Sequence, residues 1–358
     1  SKAKGQYSQA LGYQAIARGD YSTAIGKNAL ANMVNSFAFG ENALAKNEES
    51  YAFGRGAIAE GFRSFAFGSA GVDSAGQVTG VAYAKGHYSF AIGQGSQALG
   101  IGSFAMGLAD TAKGDFSFAL GYNTKAGSYY ATSLGGYTRA DGSYSIAAGE
   151  RTIAGGDGST AFGYETQAIG NWSLASGIWT KASGSESIAL GNNTIASGHN
   201  SMAFGFFANS TGWVSTAFGH HTKANGIFST AWGNNTTASG ESSTAFGEGT
   251  ISSDKYSTAF GRNTIASGFN STAWGDENTA SGPGSTAFGS GNTASGSNST
   301  AFGGQTIASG TFSTAFGQYT TASNYFSTAF GSQTTASNYF STAFGSETTA
   351  SGSRSTAF

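Results

Sequence analysis

The chain has 358 residues, of which 57 are glycine, one is proline and none is cysteine, so collagen, disulfides and cysteine-ligated metals are excluded. With a formal net charge of -2 and 10% charged residues, the composition gives no overall basic field for nucleic acid or an anionic membrane. The 14% aromatic content argues against disorder, and the sequence has no apolar run of roughly 20 residues that would span a membrane.

A five-residue word, S-x-A-φ-G with φ a large apolar residue, recurs every 14 residues. Its serine stands at 8, 22, 36, 50 and 64, and again from 89 to 355, which makes 25 copies. Ala131 replaces the serine once, and Ser133 replaces the middle alanine once. A second word, A/T-x-A-x-G, lies between the copies, as in "TIASG" at 194–198. We number the 14 positions of the repeat from the serine, so the two words occupy positions 1–5 and 8–12.

Each word alternates with a period of two, is rich in β-branched and aromatic residues, and ends in glycine, which favours a short strand. A helix would lose about 1 kcal/mol at each of these regularly spaced glycines. Two strands and two two-residue turns make one coil of a β-solenoid. Stacked about 4.8 Å apart, 25 coils would form a rod roughly 120 Å long.

The second word has one face that accepts charge and one that is mostly small, with an occasional Ser or Asp. Positions 8 and 10 are mostly Ala or Thr, which predicts that they line the interior of the coil. Positions 9 and 11 therefore face solvent, and they carry Lys4, Arg18, Lys46, Glu60, Lys85, Lys113, Lys125, Arg139, Lys181 and Lys223.

The first word carries no charge on either face, so both faces are expected to be buried. Two-residue turns imply a thin interior, which suits Ser and Ala at positions 1 and 3 better than the large residue at position 4. We therefore predict that position 4 faces outward into a seam between subunits, since an exposed aromatic stripe would aggregate. The alternative, a wider coil with these rings inside, remains open. The predicted seam residues are Phe39, Phe53, Phe67, Phe162, Phe204, Phe218, Trp232, Phe246, Phe260, Trp274, Phe288, Phe302, Phe316, Phe330 and Phe344.

One insertion interrupts the repeat. Residues 69–81, "SAGVDSAGQVTGV", stand where two linker residues are usual. The insertion is either a binding loop or a tolerated glycine-rich bulge. The chain also begins and stops inside a repeat, so we expect a single repeat domain, 1–358, cut from a longer chain.

Few residues suggest chemistry. The histidines are His87, His199, His220 and His221, and the adjacent pair is predicted to be solvated in a linker rather than to bind metal. Asp276 and Glu277 are likewise predicted to be solvated together in a turn. The repeat explains every serine, so the sequence predicts no enzyme, no catalytic residue, no cofactor and no metal.

The later coils present a nearly uncharged surface. Thr237, Thr321, Thr335 and Thr349 recur at position 9 with Ser at position 11, and turn aromatics include Tyr325, Phe326, Tyr339 and Phe340. This hydroxyl ladder suits a repetitive ligand such as a fibre, a glycan or ice. It is equally explained as a low-charge surface left by repeat duplication.

The words "STAIG" (22–26), "SFAIG" (89–93) and "SIALG" (187–191) resemble the head repeats of YadA-like trimeric autotransporter adhesins. The resemblance implies a left-handed parallel β-roll, assembled as a parallel homotrimer with two further copies of the chain, on a bacterial surface. The chain departs from the family in its first word, which uses Thr with Phe or Trp where aliphatic Val and Ile are usual.

Three functions follow as hypotheses. The first is a non-enzymatic adhesin head that binds an extracellular matrix protein, a glycan or another surface ligand by many weak contacts. The second is a tail-fibre-like spacer or receptor-binding fibre, and the third is ice binding through the Thr/Ser ladder. None involves nucleic acid, and none requires this segment to contact a membrane.

Overall fold

The computed structural model describes residues 1–72 and 78–358 as two units, Ser1–Ala182 and Ser183–Phe358. Each unit is a parallel β-solenoid in which every coil adds one strand to each of two ladders. The first word of the repeat forms the long-strand ladder, and the second word forms the short-strand ladder. Within the described ranges, no helix has the length and apolarity needed to cross a membrane.

In the first unit, the first word of the repeat forms strands of three or five residues, and the second word forms strands of two residues. Its long-strand ladder comprises Gln9–Leu11, Thr23–Ile25, Phe37–Phe39, Tyr51–Phe53, Phe65–Phe67, Phe90–Ile92, Phe104–Leu108, Phe118–Tyr122, Thr132–Gly136, Ile146–Glu150, Thr160–Tyr164 and Leu174–Ile178. Its short-strand ladder comprises Lys2–Ala3, Ile16–Ala17, Leu30–Ala31, Leu44–Ala45, Ile58–Ala59, Tyr83–Ala84, Gln97–Ala98, Thr111–Ala112, Lys125–Ala126, Arg139–Ala140, Ile153–Ala154, Gln167–Ala168 and Lys181–Ala182.

The second unit repeats the same plan. Its long-strand ladder comprises Ile188–Asn192, Met202–Phe206, Thr216–His220, Thr230–Asn234, Thr244–Glu248, Thr258–Arg262, Thr272–Asp276, Thr286–Ser290, Thr300–Gly304, Thr314–Gln318, Thr328–Ser332, Thr342–Ser346 and Thr356–Ala357. Its short-strand ladder comprises Ile195–Ala196, Asn209–Ser210, Lys223–Ala224, Thr237–Ala238, Ile251–Ser252, Ile265–Ala266, Thr279–Ala280, Thr293–Ala294, Ile307–Ala308, Thr321–Ala322, Thr335–Ala336 and Thr349–Ala350.

Within each unit, strand residues pair with their equivalents in the neighbouring coil. Thr230 lies beside Thr244 and Trp232 beside Phe246, and this parallel register places like on like along each ladder. The insertion keeps the register, because Phe65 pairs with Phe90 across it. Within the insertion, Gly71–Val72 and Val78–Thr79 pair as an antiparallel hairpin, while residues 73–77 lie outside the described ranges.

The interior of each unit is lined by small side chains. The alanines at positions 3 and 10 are almost all fully buried, and the Ser or Thr at positions 1 and 8 is buried with them. This agrees with the expectation that Ser and Ala face inward, and it is inconsistent with the wider coil that would enclose the rings. The serine at position 1 has a local role, since in many coils its hydroxyl donates to the carbonyl at position 12, as Ser22 does to Gly19 at 2.6 Å.

Hydroxyl pairs show how thin the interior is. Where serine replaces an interior alanine, it reaches a hydroxyl on the opposite wall: Ser133 meets Thr138 at 2.7 Å, and Ser210 meets Ser215 at 2.6 Å. The facing Cβ atoms are therefore separated only by two C–O bonds and one hydrogen bond. Position 8 accommodates Thr and even Asn, whereas positions 3 and 10 hold only Ala or Ser, so the walls leave little room for a larger side chain at those two positions.

Larger polar groups at position 8 bond to the next coil. Asp110 accepts hydrogen bonds from the backbone N–H groups of Gly121 and Thr124, both at 2.8 Å. Asn278 instead donates to the carbonyls of Trp274 and Gly289, both at 2.7 Å. These bonds satisfy side chains that burial would otherwise make costly.

The two-residue turns are closed by residues in the left-handed region. Most coils have a positive φ at positions 7 and 14, and many of these residues are not glycine, including Tyr21, Trp172 and Val214. The ladder supports the conformation, because the N–H of Val214 donates to the carbonyl of His199 in the preceding coil at 2.8 Å. The sequence predicted tight turns here but not their conformation.

Val214 has a φ of 53°. This left-handed conformation is strained for Val214 because its side chain is β-branched. We expect Val214→Asn to stabilise the protein by about 1 kcal/mol, because Asn tolerates the left-handed region and the valine side chain is substantially exposed. Thermal unfolding should show a rise in Tm of about 2–4 °C. Ile227→Asn is the matched control, since Ile227 is an exposed turn residue without a positive φ. A stabilisation by Ile227→Asn equal to that of Val214→Asn would contradict this explanation.

Candidate interaction surfaces

The outer face of the long-strand ladder carries the fifteen residues predicted for the seam. All of them project away from the interior, and most are exposed: the side chains of Phe67, Trp232 and Trp274 retain 60%, 48% and 48% of their accessible area. Phe53, Phe204 and Phe260 are half-buried. The outward placement is therefore observed, while what covers these rings is taken up under Proposed function.

The rings stack on one another along this face. In the second unit, ring centroids are 4.9 Å apart between Phe288 and Phe302, 4.8 Å between Phe302 and Phe316 and 4.8 Å between Phe316 and Phe330, with nearly parallel planes. The faces of these rings therefore contact neighbouring rings of the stack, and the ring edges point outward. A partner would meet a ribbed apolar surface of ring edges.

In the first unit the aromatic stripe is doubled over the three coils that have Phe39, Phe53 and Phe67 at position 4. Position 2 is aromatic from Phe37 to Phe118, and Tyr51 and Phe65 stack at 4.5 Å beside the position 4 residues. Phe39, Phe53 and Phe67 line a shallow apolar groove that ends at Ser69, where the insertion begins. The sequence analysis noted apolar residues at position 2, but it did not distinguish coils with two aromatic positions from coils with one.

The outer face of the short-strand ladder in the first unit is basic. It carries nine cations, Lys2, Lys4, Arg18, Lys46, Lys85, Lys113, Lys125, Arg139 and Lys181, and two carboxylates, Glu60 and Asp141. All nine are exposed except Lys125, which is half-buried. We call this surface the basic stripe. The sequence analysis had assigned these positions and most of these cations to solvent, but it drew no conclusion from the excess of positive charge.

A small cluster interrupts the basic stripe at Glu60. Lys46 Nζ lies 2.8 Å from Glu60 Oε2, and the Tyr83 hydroxyl donates to the same oxygen at 2.8 Å. These hydrogen bonds, that of Lys46 first, hold the pKa of Glu60 below its ordinary value. Burial, and then the bond to Glu60, raise the pKa of Tyr83 to about 12. Glu60 therefore stays ionised at neutral pH and offsets Lys46.

The second unit presents the neutral hydroxyl ladder. Thr237, Thr321 and Thr335 are half-buried on the outer face of the short strands, and Thr349 is exposed. At the adjoining turns the aromatics stack in two files, with Tyr325 and Tyr339 5.3 Å apart and Phe326 and Phe340 5.1 Å apart. As on the seam face, the ring faces are already occupied by one another.

Two predictions about polar residues need correction. His220 ends the strand Thr216–His220 rather than lying in a linker, and its ring stacks on Phe206 at 5.3 Å. Asp276 likewise ends a strand and pairs with Arg262 at 2.7 Å, so only Glu277 lies in the turn. Both differences arise because the five-residue strands extend to position 6.

The other two histidines make local contacts. His87 Nδ1 accepts a hydrogen bond from the N–H of Phe62, and His199 packs edge-on against Trp213. The described residues contain no group of three or more His, Asp or Glu arranged to hold a metal ion.

Together, the stacked coils, the alanine interior and the outward aromatic ladder define a parallel β-solenoid repeat protein. The sequence matches the family described as the YadA head domain repeat, and the chain belongs to that family. The matched residues are 3–29, 45–70, 84–108, 112–138, 140–166, 182–208, 196–212, 215–236, 238–264, 266–292, 294–320, 322–348 and 336–358. The match stops at 70 and resumes at 84, on either side of the hairpin insertion. A comparison with curated proteins finds no similar sequence. The resemblance noted from the repeat words is thus confirmed.

Proposed function

We propose that the protein is the head of a bacterial surface adhesin, in which three parallel copies of a left-handed roll pack their long-strand faces together. The family supports this proposal, because YadA head repeats belong to structural adhesins rather than to enzymes. The aromatic ladder is the observation that carries it. No charged residue stands at positions 2 or 4 in any coil, whereas charges occur on every other outer surface of the repeat.

The energetics favour assembly over a lone chain. Burying one exposed Phe stabilises by roughly 1.5–3 kcal/mol, and position 4 is Phe or Trp in 16 of the 25 coils. An exposed apolar stripe of this length would otherwise promote aggregation. The chain has no cysteine with which to stabilise itself covalently. Association through the ladder supplies that stabilisation along the whole length of each unit.

The oligomeric state tests the seam directly. We expect light scattering coupled to size exclusion to give the mass of three chains for the protein as it stands. The double variant Trp232→Asp with Phe260→Asp should lose that species, because the charges would be buried without partners. The double variant Ser239→Asp with Ser267→Asp adds the same charges on the short-strand face and should remain trimeric. A soluble, folded monomer of the unaltered chain would overturn the seam.

Adhesion itself needs a binding measurement. The purified protein should bind at least one of collagen, fibronectin and a cultured cell layer, with weak contacts multiplied over three chains. Retention of the trimer with no binding to any of these surfaces would favour the spacer or tail-fibre hypothesis instead. Thermal hysteresis of the purified protein would favour the ice-binding hypothesis.

A further inference from the structure

The basic stripe of the first unit is the feature that the adhesin proposal leaves unexplained. Nine of the thirteen cations of this unit lie on one narrow face with only two carboxylates, a balance of +7. The remaining carboxylates of the unit stand at other positions of the coil, for example Asp20, Glu49 and Asp157 in turns. Charges of opposite sign are thus segregated in a chain whose net charge is close to zero.

Most of these cations have no carboxylate partner among the described residues, although Arg18 donates a hydrogen bond to Asn32 Oδ1 at 3.2 Å. Within the part of the chain that the structure describes, Lys2, Lys4, Arg18, Lys85, Lys113 and Lys181 make no ion pair. Lys46, Lys125 and Arg139 pair with the two carboxylates of the face. The six unpaired side chains are therefore available to an external anion.

The backbone fixes the spacing of the charges. The N–H groups of Lys85 and Lys113 each donate to a carbonyl of the next coil at 2.8 Å, so the side chains are anchored to the ladder. Lys46, Lys85 and Lys113 stand at position 11 in alternate coils, which separates their backbones by roughly 10 Å. From Lys4 to Lys181 the stripe crosses twelve coil steps, or about 58 Å at the same rise. The result is a series of cations along one face, at position 11 from Lys4 to Lys113 and at position 9 from Lys125 onward, with one to three coil steps between successive coils that carry them.

We propose that the basic stripe binds a linear, sulfated polysaccharide, whose anionic groups would neutralise successive cations along the stripe. This proposal names the ligand class of the adhesin head, and it rests on the proposed function, which leaves this face in solvent. Such a ligand repeats its charge along a single extended chain, as the stripe does. Neutralisation of several fixed cations would release counterions and make the affinity strongly dependent on salt.

The same face argues against other polyanions. Sequence-tolerant binding of single-stranded nucleic acid uses aromatic platforms on which bases stack. The only aromatic ring among the described residues of the basic stripe is Tyr83, which is half-buried and bonded to Glu60. Aliphatic residues at position 9, such as Ile16 and Leu44, are also half-buried and offer no wedge for insertion into a lipid surface.

Two charge-matched variants of the full chain test the proposal. The stripe variant carries Arg18→Gln, Lys85→Gln, Lys113→Gln and Lys181→Gln. The control variant carries Lys27→Gln, Arg55→Gln, Arg63→Gln and Arg151→Gln, which are the four cations of the first unit outside the stripe. Both remove four positive charges, and all eight positions are on the surface. Circular dichroism and light scattering establish that each variant keeps the fold and the oligomeric mass of the unaltered chain.

Binding is measured on immobilised heparin over a series of salt concentrations. We expect the unaltered chain and the control variant to bind, and the stripe variant to bind at least about tenfold more weakly with a salt slope reduced by up to about 4. Chemically desulfated heparin should bind little. Equal loss in both variants, equal binding to desulfated heparin, or tighter binding of a single-stranded DNA oligomer or of phosphatidylserine vesicles would each overturn the proposal. If the unaltered chain binds heparin but does not have the mass of a trimer, the proposed seam is wrong and the proposed ligand of the basic stripe is still supported.

Discussion

Gly303→Ala is expected to unfold several coils of the second unit, whereas Gly304→Ala, one residue away, should be harmless. Gly303 occupies position 5 with φ of +126°, and an added Cβ would overlap the carbonyl oxygen of Gly317 and lie 2.8 Å from its carbonyl carbon. Both are backbone atoms of the next coil, so no side chain can move aside. The substitution also forces alanine into a conformation that L residues rarely adopt.

The control differs in each of these respects. A Cβ on Gly304 would come no closer than 3.9 Å, to the flexible side chain of Gln318. Gly304→Ala should therefore be neutral or stabilise by up to about 1 kcal/mol through the unfolded state. For Gly303→Ala we expect a loss of about 3 kcal/mol or more, from the overlap and the strained backbone together. Urea unfolding of both variants measures the difference, and similar midpoints would contradict the stacked-glycine geometry.

The second large effect concerns the thin interior. Ala238→Leu is expected to destabilise the protein by about 3 kcal/mol, at the upper end of the usual cost of overpacking. Ala238 is fully buried, with Ala224 and Ser252 at the same position in the neighbouring coils. The added carbons would have to push the two ladders apart, because the walls are already within hydrogen-bonding reach.

Thr237→Leu provides the comparison at the adjacent residue. Position 9 faces outward, and Leu30 and Leu44 already occupy it in other coils. The free energy of unfolding should change by no more than about 0.5 kcal/mol. Equal destabilisation by Ala238→Leu and Thr237→Leu in the same urea titration would show that the alanine wall is not limiting.

The coil and its faces could be predicted from the sequence because the repeat restates the same evidence many times. Charge at positions 9 and 11, together with its near-absence at positions 8 and 10, where Asp110 is the exception, identified the interior of the short-strand ladder. The orientation of the first word was harder, since neither of its faces carries charge. The two-residue turns implied a thin interior and so placed Ser and Ala inward and the large residue at position 4 outward. Buried Ala245 beside exposed Phe246 agrees with this orientation.

Other features were not predictable from the pattern. The second word was expected to form a five-residue strand, but the strand covers only positions 9 and 10, as in Thr237–Ala238. The N–H at position 11 still donates to the next coil, as that of Ser239 does to Ser252 at 2.9 Å, and the chain bends at position 12. Left-handed turn residues such as Trp172 defy residue preference, since the ladder hydrogen bonds determine the backbone there. The cations of the basic stripe could be assigned to positions 9 and 11 from the sequence, but which of them form ion pairs could be determined only from the structure.

The unbroken register between coils bears on how such a protein changes its length. Because Phe302 pairs with Phe316 as Phe316 pairs with Phe330, removing one whole repeat would join two surfaces that already match. Recombination between near-identical gene segments would thus yield longer or shorter proteins that still fold, provided that each step is a multiple of 14 residues. Reach could then vary between lineages faster than the surface chemistry does.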